Sequence, residues 1–265
     1  MRSRLRHSLI RLLAAWPRLY QETKWIESYL RFRAGRLHDP EFGVLRHLAP
    51  PRLVIDAGGN YGQSLFSLRL LFPNARLLSF EPDPTSLRFL QRTSGRLAGT
   101  EVHATALGRQ TGNATLRIPQ HGGTEFSQAA TIAAGAISAP NFERIFGNDL
   151  TIKAVTVDVM PLDKLRLRPD LIKIDVQGSE LEVLEGAAET IATARPVLFV
   201  ERGSTESQCR AFLERHGYRC QIIGQGPRSP TNFLAVPEEN QELMRNLACE
   251  EIGFPQERAL PHGPA

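Results

Sequence analysis

LVIDAGGNYGQSLFSLRLL, residues 53–71, runs from an apolar strand through a glycine-rich turn directly into an apolar helix. Leu53 to Asp56 is a short hydrophobic run. Ala57-Gly58-Gly59-Asn60-Tyr61-Gly62 forms the turn, and Gly62 to Phe72 reads as a helix closed by Pro73-Asn74. A strand that turns on glycines into a helix opens a parallel α/β sheet. It also places a helix start beside a strand's carboxyl end, where such sheets receive their ligands.

The chain continues in the same rhythm. Ala75 to Glu81 reads as a second strand, Pro84 to Gln91 begins a second helix, and Val102 to Leu107 reads as a third strand ended by Gly108. Residues 109–150 carry Pro119, Gly122, Gly123 and Pro140 and show no regular pattern. Strand-like alternation returns at Thr151 to Val159, and Leu171 to Asp175 is another apolar strand. Glu180 to Ala194 reads as one amphipathic helix, Val197 to Val200 as a strand ending on Glu201, and Thr205 to His216 as a helix. Tyr218 to Ile223 and Asn232 to Val236 are two strands with no helix between them, which predicts an antiparallel pair at one edge. The fold class is therefore α/β, a doubly wound, mostly parallel Rossmann-like sheet with a terminal antiparallel hairpin strand. Residues 1–49 read as a basic N-terminal helical extension, 50–237 as the main domain and 238–265 as a C-terminal helix and tail.

Charge is unevenly placed. Residues 1–36 hold nine Lys/Arg against two Glu, whereas the remainder holds 23 Lys/Arg against 26 Asp/Glu. The main body is slightly acidic and lacks a basic stripe, which argues against nucleic acid as a partner. The leader MRSRLRHSLIRLLAAWPRLY interleaves arginines with apolar residues. Its plainer placement is an amphipathic helix packed on the core, and the alternative is peripheral contact with an anionic membrane surface. Arginine interrupts its apolar stretch, unlike a secretory signal, while the acid-free first 21 residues leave a transit peptide open. No apolar run approaches a membrane span. Cys209, Cys220 and Cys249 are too few and scattered for a disulfide framework or zinc site, which suits a reducing compartment such as the cytoplasm. Oligomeric state leaves no signal in the sequence.

Asp56, Glu81, Asp175 and Glu201 all end strands and so gather on one rim. Glu81, in FEPDP, can accept hydrogen bonds from both hydroxyls of a ribose. Such a contact suits NAD and S-adenosylmethionine equally. The turn separates them. Counted from Gly58, the G-x-G-x-x-G pattern of a pyrophosphate site has Asn60 at its third place and Gln63 at its sixth. The D-x-G-x-N-x-G order suits a ligand without phosphate, whose amino-acid end carries a carboxylate and an ammonium. Asp56 can meet the ammonium, and the Asn60 amide can serve either group while tolerating positive φ.

Together these motifs resemble the FkbM family of S-adenosylmethionine-dependent methyltransferases over roughly residues 50–237. IDAGGNYGQSLFSL, FEPDP, ALG at 106–108, LDKL at 162–165, LIKIDVQGSELEVLEGA, RPVLFVE and NFLAV fall in the family's order. One departure is Gln177, where the family usually has glutamate. The resemblance implies a cofactor site around Asp56, Gly58, Gly59, Asn60, Gly62, Gln63, Glu81 and Asp83. It also implies methyl transfer to a hydroxyl of a small molecule or glycan. Asp175 is the first candidate to orient or deprotonate that hydroxyl, Glu201 the second and His121 the third. No spacing demands a metal. Residues 119–150 are expected to form a lid or substrate wall. Two other readings remain: an NAD-dependent oxidoreductase, and a non-catalytic cofactor-binding scaffold.

Overall fold

β1 (Leu53–Ala57) pairs in parallel with β2 (Arg76–Phe80) on one side and β8 (Leu171–Ile174) on the other. The computed structural model describes residues 16–133, 146, 149–223 and 231–249. Beyond β2 lies β3 (Thr100–His103), and beyond β8 lie β9 (Val197–Glu201), β11 (Asn232–Pro237) and β10 (Tyr218–Ile223), giving the order β10-β11-β9-β8-β1-β2-β3. The direction of winding reverses between β1 and β8, so a crevice opens at their carboxyl ends. β11 runs antiparallel to both neighbours. The expected reversed hairpin is thus present, with its last strand inserted inside the sheet rather than added at the edge.

Alternation along β1 supplies two cores. Val54 packs with Trp25, Leu65, Leu77 and Phe199 in one cluster, while Ile55 and Ala57 pack with Phe80, Ile172, Leu184 and Phe212 in the other. The first cluster includes the N-terminal helix α1 (Pro17–Arg33) and the 3-10 turn Pro40–His47. Trp25 is buried, donates from Nε1 to Thr93 Oγ1 at 2.8 Å and stacks on Tyr29 at 5.2 Å. Phe42 of the turn meets Phe199 of β9 at 4.8 Å. Residues 17–48 therefore share the main core. Among the described residues no helix is long and apolar enough to cross a membrane.

The segment expected to be irregular supplies two strands, β5 and β6, of a second sheet ordered β4-β7-β5-β6, and β7 lies where a strand was expected. β4 is Ala106–Leu107, β5 Gly112–His121, β6 Thr124–Glu125 and β7 Thr151–Met160. Pro119 does not break β5 but pairs opposite Ile152, and Gly122-Gly123, at φ +56° and +82°, make the turn into β6. Of the expected lid, residues 134–145 and 147–148 lie outside the described residues. The single strand expected over Val102 to Leu107 is two, because the chain bends at Ala104-Thr105 and Thr105 Oγ1 donates to the Asp158 carbonyl at 3.0 Å. The helix expected over 180–194 is also two: α4 (Glu180–Glu185) and α5 (Ala188–Ala194). Gly186 lies so close to Gly108 that a Cβ there would stand 2.0 Å from its carbonyl oxygen. Asp163 then caps α5 through the amides of Glu189 and Thr190 at 2.9 and 2.8 Å.

If α1 belongs to this core, Trp25→Ala should cost about 3–5 kcal/mol. Chemical denaturation should show a single transition at lower denaturant, and a variant as stable as the parent would refute shared packing.

Candidate active site

The site is a cavity of about 300 Å³ at the β1–β8 crevice, at the small end of ligand clefts. β1 passes into α2 (Gln63–Leu71) through the glycine turn. Gly58 has φ +81°, and a Cβ there would lie 1.8 Å from the Asp175 carbonyl oxygen. At Gly59 a Cβ would stand 2.2 Å from Ser79 Oγ. Both positions must be glycine for the turn to lie this close to β8 and β2. Asn60 adopts φ +47°, as expected for a turn residue with a short amide.

Gly58, Gly59, Asn60, Gln63 and Glu81 line one part of the cavity. Glu81 follows β2 and accepts from the amides of Asn60 at 2.7 Å and Asp83 at 2.8 Å. Burial pushes its carboxyl up to about 8, against the pull of those amides toward the ionised form. Its remaining lone pairs can accept from ligand hydroxyls.

Asp56 occupies a different position from the one its sequence suggests. It is fully buried and does not line the cavity. Its Oδ2 accepts from Ser64 Oγ at 2.9 Å and Ser79 Oγ at 2.7 Å, and its Oδ1 lies 3.1 Å from Lys173 Nζ. Asp56 is thus consumed in holding the turn and cannot meet a ligand ammonium. Three other expected site residues are also turned to structural work. Asp83 caps α3 (Pro84–Ser94), accepting from Thr85 N at 2.9 Å and Ser86 Oγ at 3.1 Å. Gly62 caps α2 at φ +90°. His121 stacks on Phe146 at 4.3 Å with Nδ1 3.2 Å from the Asp149 carbonyl, and does not line the cavity.

The other part of the cavity gathers Asp175 after β8 and Glu201 at the end of β9. With them stand Gln177, the departure noted in the motif, and residues that the motifs did not single out: Lys173, His38, Asp39, Thr231 and Asn232. Lys173 Nζ donates to the carbonyls of Gly58 at 2.7 Å and Ala57 at 3.3 Å, and lies 3.6 Å from Asp175 Oδ2. Burial opposes its charge, but Asp56 and Asp175 outweigh burial and raise its pKa. Asp175 opens on the cavity, its side chain 40% exposed. Burial works against its ionisation, yet Lys173 and hydrogen bonds from Gln177 hold its carboxyl below the usual range. His38 sits at the mouth, where surrounding protein and then Arg31 lower its pKa to about 4, leaving it neutral. It reaches the site because Glu41 ties the 3-10 turn to β11, accepting from Thr231 N at 3.0 Å and Asn232 Nδ2 at 2.7 Å. Glu180 is a brace, accepting from Gly178 N at 2.8 Å and Thr205 Oγ1 at 2.9 Å.

Leu116 of β5 walls the cavity together with Ser127, Gln128, Ala130 and Ile132 from the stretch that follows β6. Glu125 fastens this wall to α3, accepting from Thr85 Oγ1 at 2.9 Å while Lys153 pairs with it at 2.6 Å.

The family model of the methyltransferase FkbM domain matches residues 56–220, well over half of the chain. The chain belongs to the FkbM methyltransferase family. It is 26% identical over 143 residues to Methyltransferase 1 of Beauveria bassiana strain ARSEF 2860, covering 50% of this chain and 57% of that protein. It is 25% identical over 150 residues to the 2-O-methyltransferase NoeI of Sinorhizobium fredii, covering 55% and 61%. The chain thus spans less than two thirds of either relative. A solved FkbM methyltransferase from Methylobacillus flagellatus KT superposes with a TM-score of 0.50 at 22% identity, over 71% of this chain and 44% of that one, which shows the shared fold.

The cofactor of such an FkbM domain is S-adenosylmethionine. The residues present fit it. Glu81 offers acceptors for a ribose, the glycines leave room where any Cβ would collide, and Asn60 and Gln63 offer amides near the start of α2.

Two outcomes follow from this geometry. The folded chain holds the Glu81 proton more tightly than the unfolded chain, whose ordinary value is 4.5. That stabilisation is complete below the unfolded value and lost as pH rises through about 8. Thermal melts of ligand-free protein should show it, and Glu81→Gln should flatten this part of the pH dependence. Asn60→Gly keeps the positive φ and the amide bond to Glu81 while removing the side chain. It should weaken S-adenosylhomocysteine by the worth of one hydrogen bond, about 0.5–1.5 kcal/mol, read by calorimetry. Unchanged affinity would make Asn60 a turn residue only.

Proposed function

We propose that this FkbM protein transfers a methyl group from S-adenosylmethionine to a hydroxyl of a small-molecule or glycan acceptor. One observation carries the reading: Asp175, open to the cavity and held ionised beside Lys173, shares that cavity with the glycine turn and Glu81. The name of the 2-O-methyltransferase relative supports a hydroxyl as the methyl acceptor.

Bound S-adenosylmethionine supplies an electrophilic methyl group. The protein's share is to align the acceptor and to take its proton. Asp175 accepts that proton, a contribution of about 10²–10⁴-fold where proton transfer accompanies methyl transfer. Leu116, Ala130 and Ile132 keep water from the approach. Asp39 and the side-chain oxygen of Asn232, which line the same cavity, can accept from hydroxyls of a polyhydroxylated acceptor.

The N-terminal segment is proposed to make peripheral contact with an anionic membrane. Trp16, Leu19, Ile26 and Leu30 are exposed along α1, next to the arginine-rich leader. Co-sedimentation with phosphatidylserine vesicles, absent with phosphatidylcholine alone, tests this contact.

Calorimetry should detect S-adenosylhomocysteine and not NAD. A mass-spectrometric methyl-transfer screen over lipid-linked sugars, polysaccharide fragments and hydroxylated metabolites should then identify the acceptor. Asp175→Asn should lower turnover about 10²–10⁴-fold while retaining S-adenosylhomocysteine. NAD binding in place of the sulfur ligand would overturn the reading, and cofactor binding without turnover across the screen would favour a scaffold.

A further inference from the structure

Gln177 lies between the two acids of the reaction half of the cavity. Its backbone is left-handed, at φ +55°, and its side chain crosses the ends of β8 and β9. Nε2 donates to Asp175 Oδ1 at 3.0 Å and to Glu201 Oε2 at 2.7 Å. A primary amide has two N–H groups, and both are spent here on carboxyls of adjacent strands.

The charges around this pair are unbalanced. Lys173 lies 3.6 Å from Asp175 but is shared with Asp56 at 3.1 Å. From the N-terminal side stand His38, which is neutral, and Asp39, whose pKa burial raises. Glu180 of α4 faces Glu201, and β11 presents the uncharged Thr231 and Asn232. Among the described residues one cation, Lys173, thus serves Asp56, Asp175 and Glu201 together. Two acids bridged by one amide and hydrogen-bonded directly to each other favour retention of one proton between them.

We propose that the Asp175–Glu201 pair holds a single proton, carried by Glu201, and that Gln177 is the positioning residue that bridges the pair without adding a third charge, so that Asp175 alone receives the acceptor's proton. Burial and then Asp175 push the Glu201 carboxyl up, further than the Gln177 amide draws it back, while Lys173 draws Asp175 down against its burial. The role of Asp175 as proton acceptor rests on the methyl-transfer reading, whereas the shared proton does not. In that reaction the acceptor's O–H bond breaks as its O–CH₃ bond forms. The S–CH₃ electron pair stays on sulfur and the proton passes to Asp175. The pair then holds two protons, and one returns to water before the next turnover. Glutamate at position 177 would replace a two-hydrogen donor by a third carboxylate and raise the proton affinity of the whole cluster.

Carbon-13 NMR of the side-chain carboxyls reads the pair directly, with no acceptor needed. The full chain, labelled at Asp and Glu, is titrated with S-adenosylhomocysteine bound, and Asp175→Asn and Glu201→Gln assign the signals. At about pH 7 Glu201 should be protonated and Asp175 ionised. Gln177→Glu should raise the Asp175 midpoint by at least about one pH unit, a tenfold gain in proton affinity. Glu201→Gln exchanges one neutral group for another and should leave that midpoint almost unmoved. An ionised Glu201 at neutral pH overturns the proposal, as does an unshifted Asp175 midpoint in Gln177→Glu. Should Gln177→Glu not fold, Glu201→Gln decides, because a fall of about one unit or more in the Asp175 midpoint would mean that Glu201 had been charged. If S-adenosylhomocysteine does not bind, the same titration of the free protein still judges the shared proton, and only the methyl-transfer reading is lost.

Discussion

A single buried ammonium organises the centre of this protein. Lys173 stands on β8 level with Asp56 of β1, and Asp56 in turn stands level with Ser79 of β2. Removing such a charge from water costs several kcal/mol unless partners surround it. Lys173 finds them in the Asp56 carboxylate, the carbonyls of Ala57 and Gly58, and Asp175. Two of those partners are main-chain atoms, so the ammonium fixes backbone as well as side chains. β1 can meet this demand only by entering its turn tightly against β8, and there a side chain at Gly58 would collide with the Asp175 carbonyl. The glycine requirement, the path of the turn and the aim of Asp175 are consequences of one constraint.

The same row explains why two strand-end acids have unlike fates. Asp56 lies within the hydrogen-bonded ladder, where both faces are covered, and its oxygens are taken by two serines and the lysine. Asp175 follows the last residue of β8, beyond the ladder, and faces the cavity. A displacement of two residues along the register, from just inside the last pair to just beyond it, separates an acid that braces the fold from one available to a ligand.

Much of this was legible in the sequence. The strand-turn-helix at 53–71, the acids at successive strand ends and the unbridged final strands define the sheet and its rim, because apolar periodicity and glycine report local conformation directly. Glu81, Asp175 and Glu201 reach the cavity for the same reason. Register across strands leaves no local mark, so the sealing of Asp56 by Ser64, Ser79 and Lys173 was not readable. Lys173 was hidden among the apolar residues of LIKID, although a charge flanked by isoleucines in a buried strand is itself a signal that it is paired. His38 and Asp39 arrive from a segment that looked like an appendage, through Glu41 bonds to residues about 190 positions away. The second sheet was masked by Pro119 and paired glycines, which usually interrupt strands but here bound a hairpin.

The place of β11 bears on how the chain is made. It fills an interior slot between β9 and β10, yet it is the last strand of the sheet to leave the ribosome. Until residue 237 has emerged, β9 and β10 each present an unpaired edge, and Val197 to Val200 form an apolar strand without a neighbour on that side. The nascent protein therefore carries an open edge between the emergence of residue 201 and that of residue 237, the state in which chains pair with one another instead of with themselves. β10 meets the sheet only through β11, so the edge of β9 stays open until that reversed strand is in place. The start of that same strand carries Thr231 and Asn232 to Glu41, so one segment both covers the edge and completes the cavity wall.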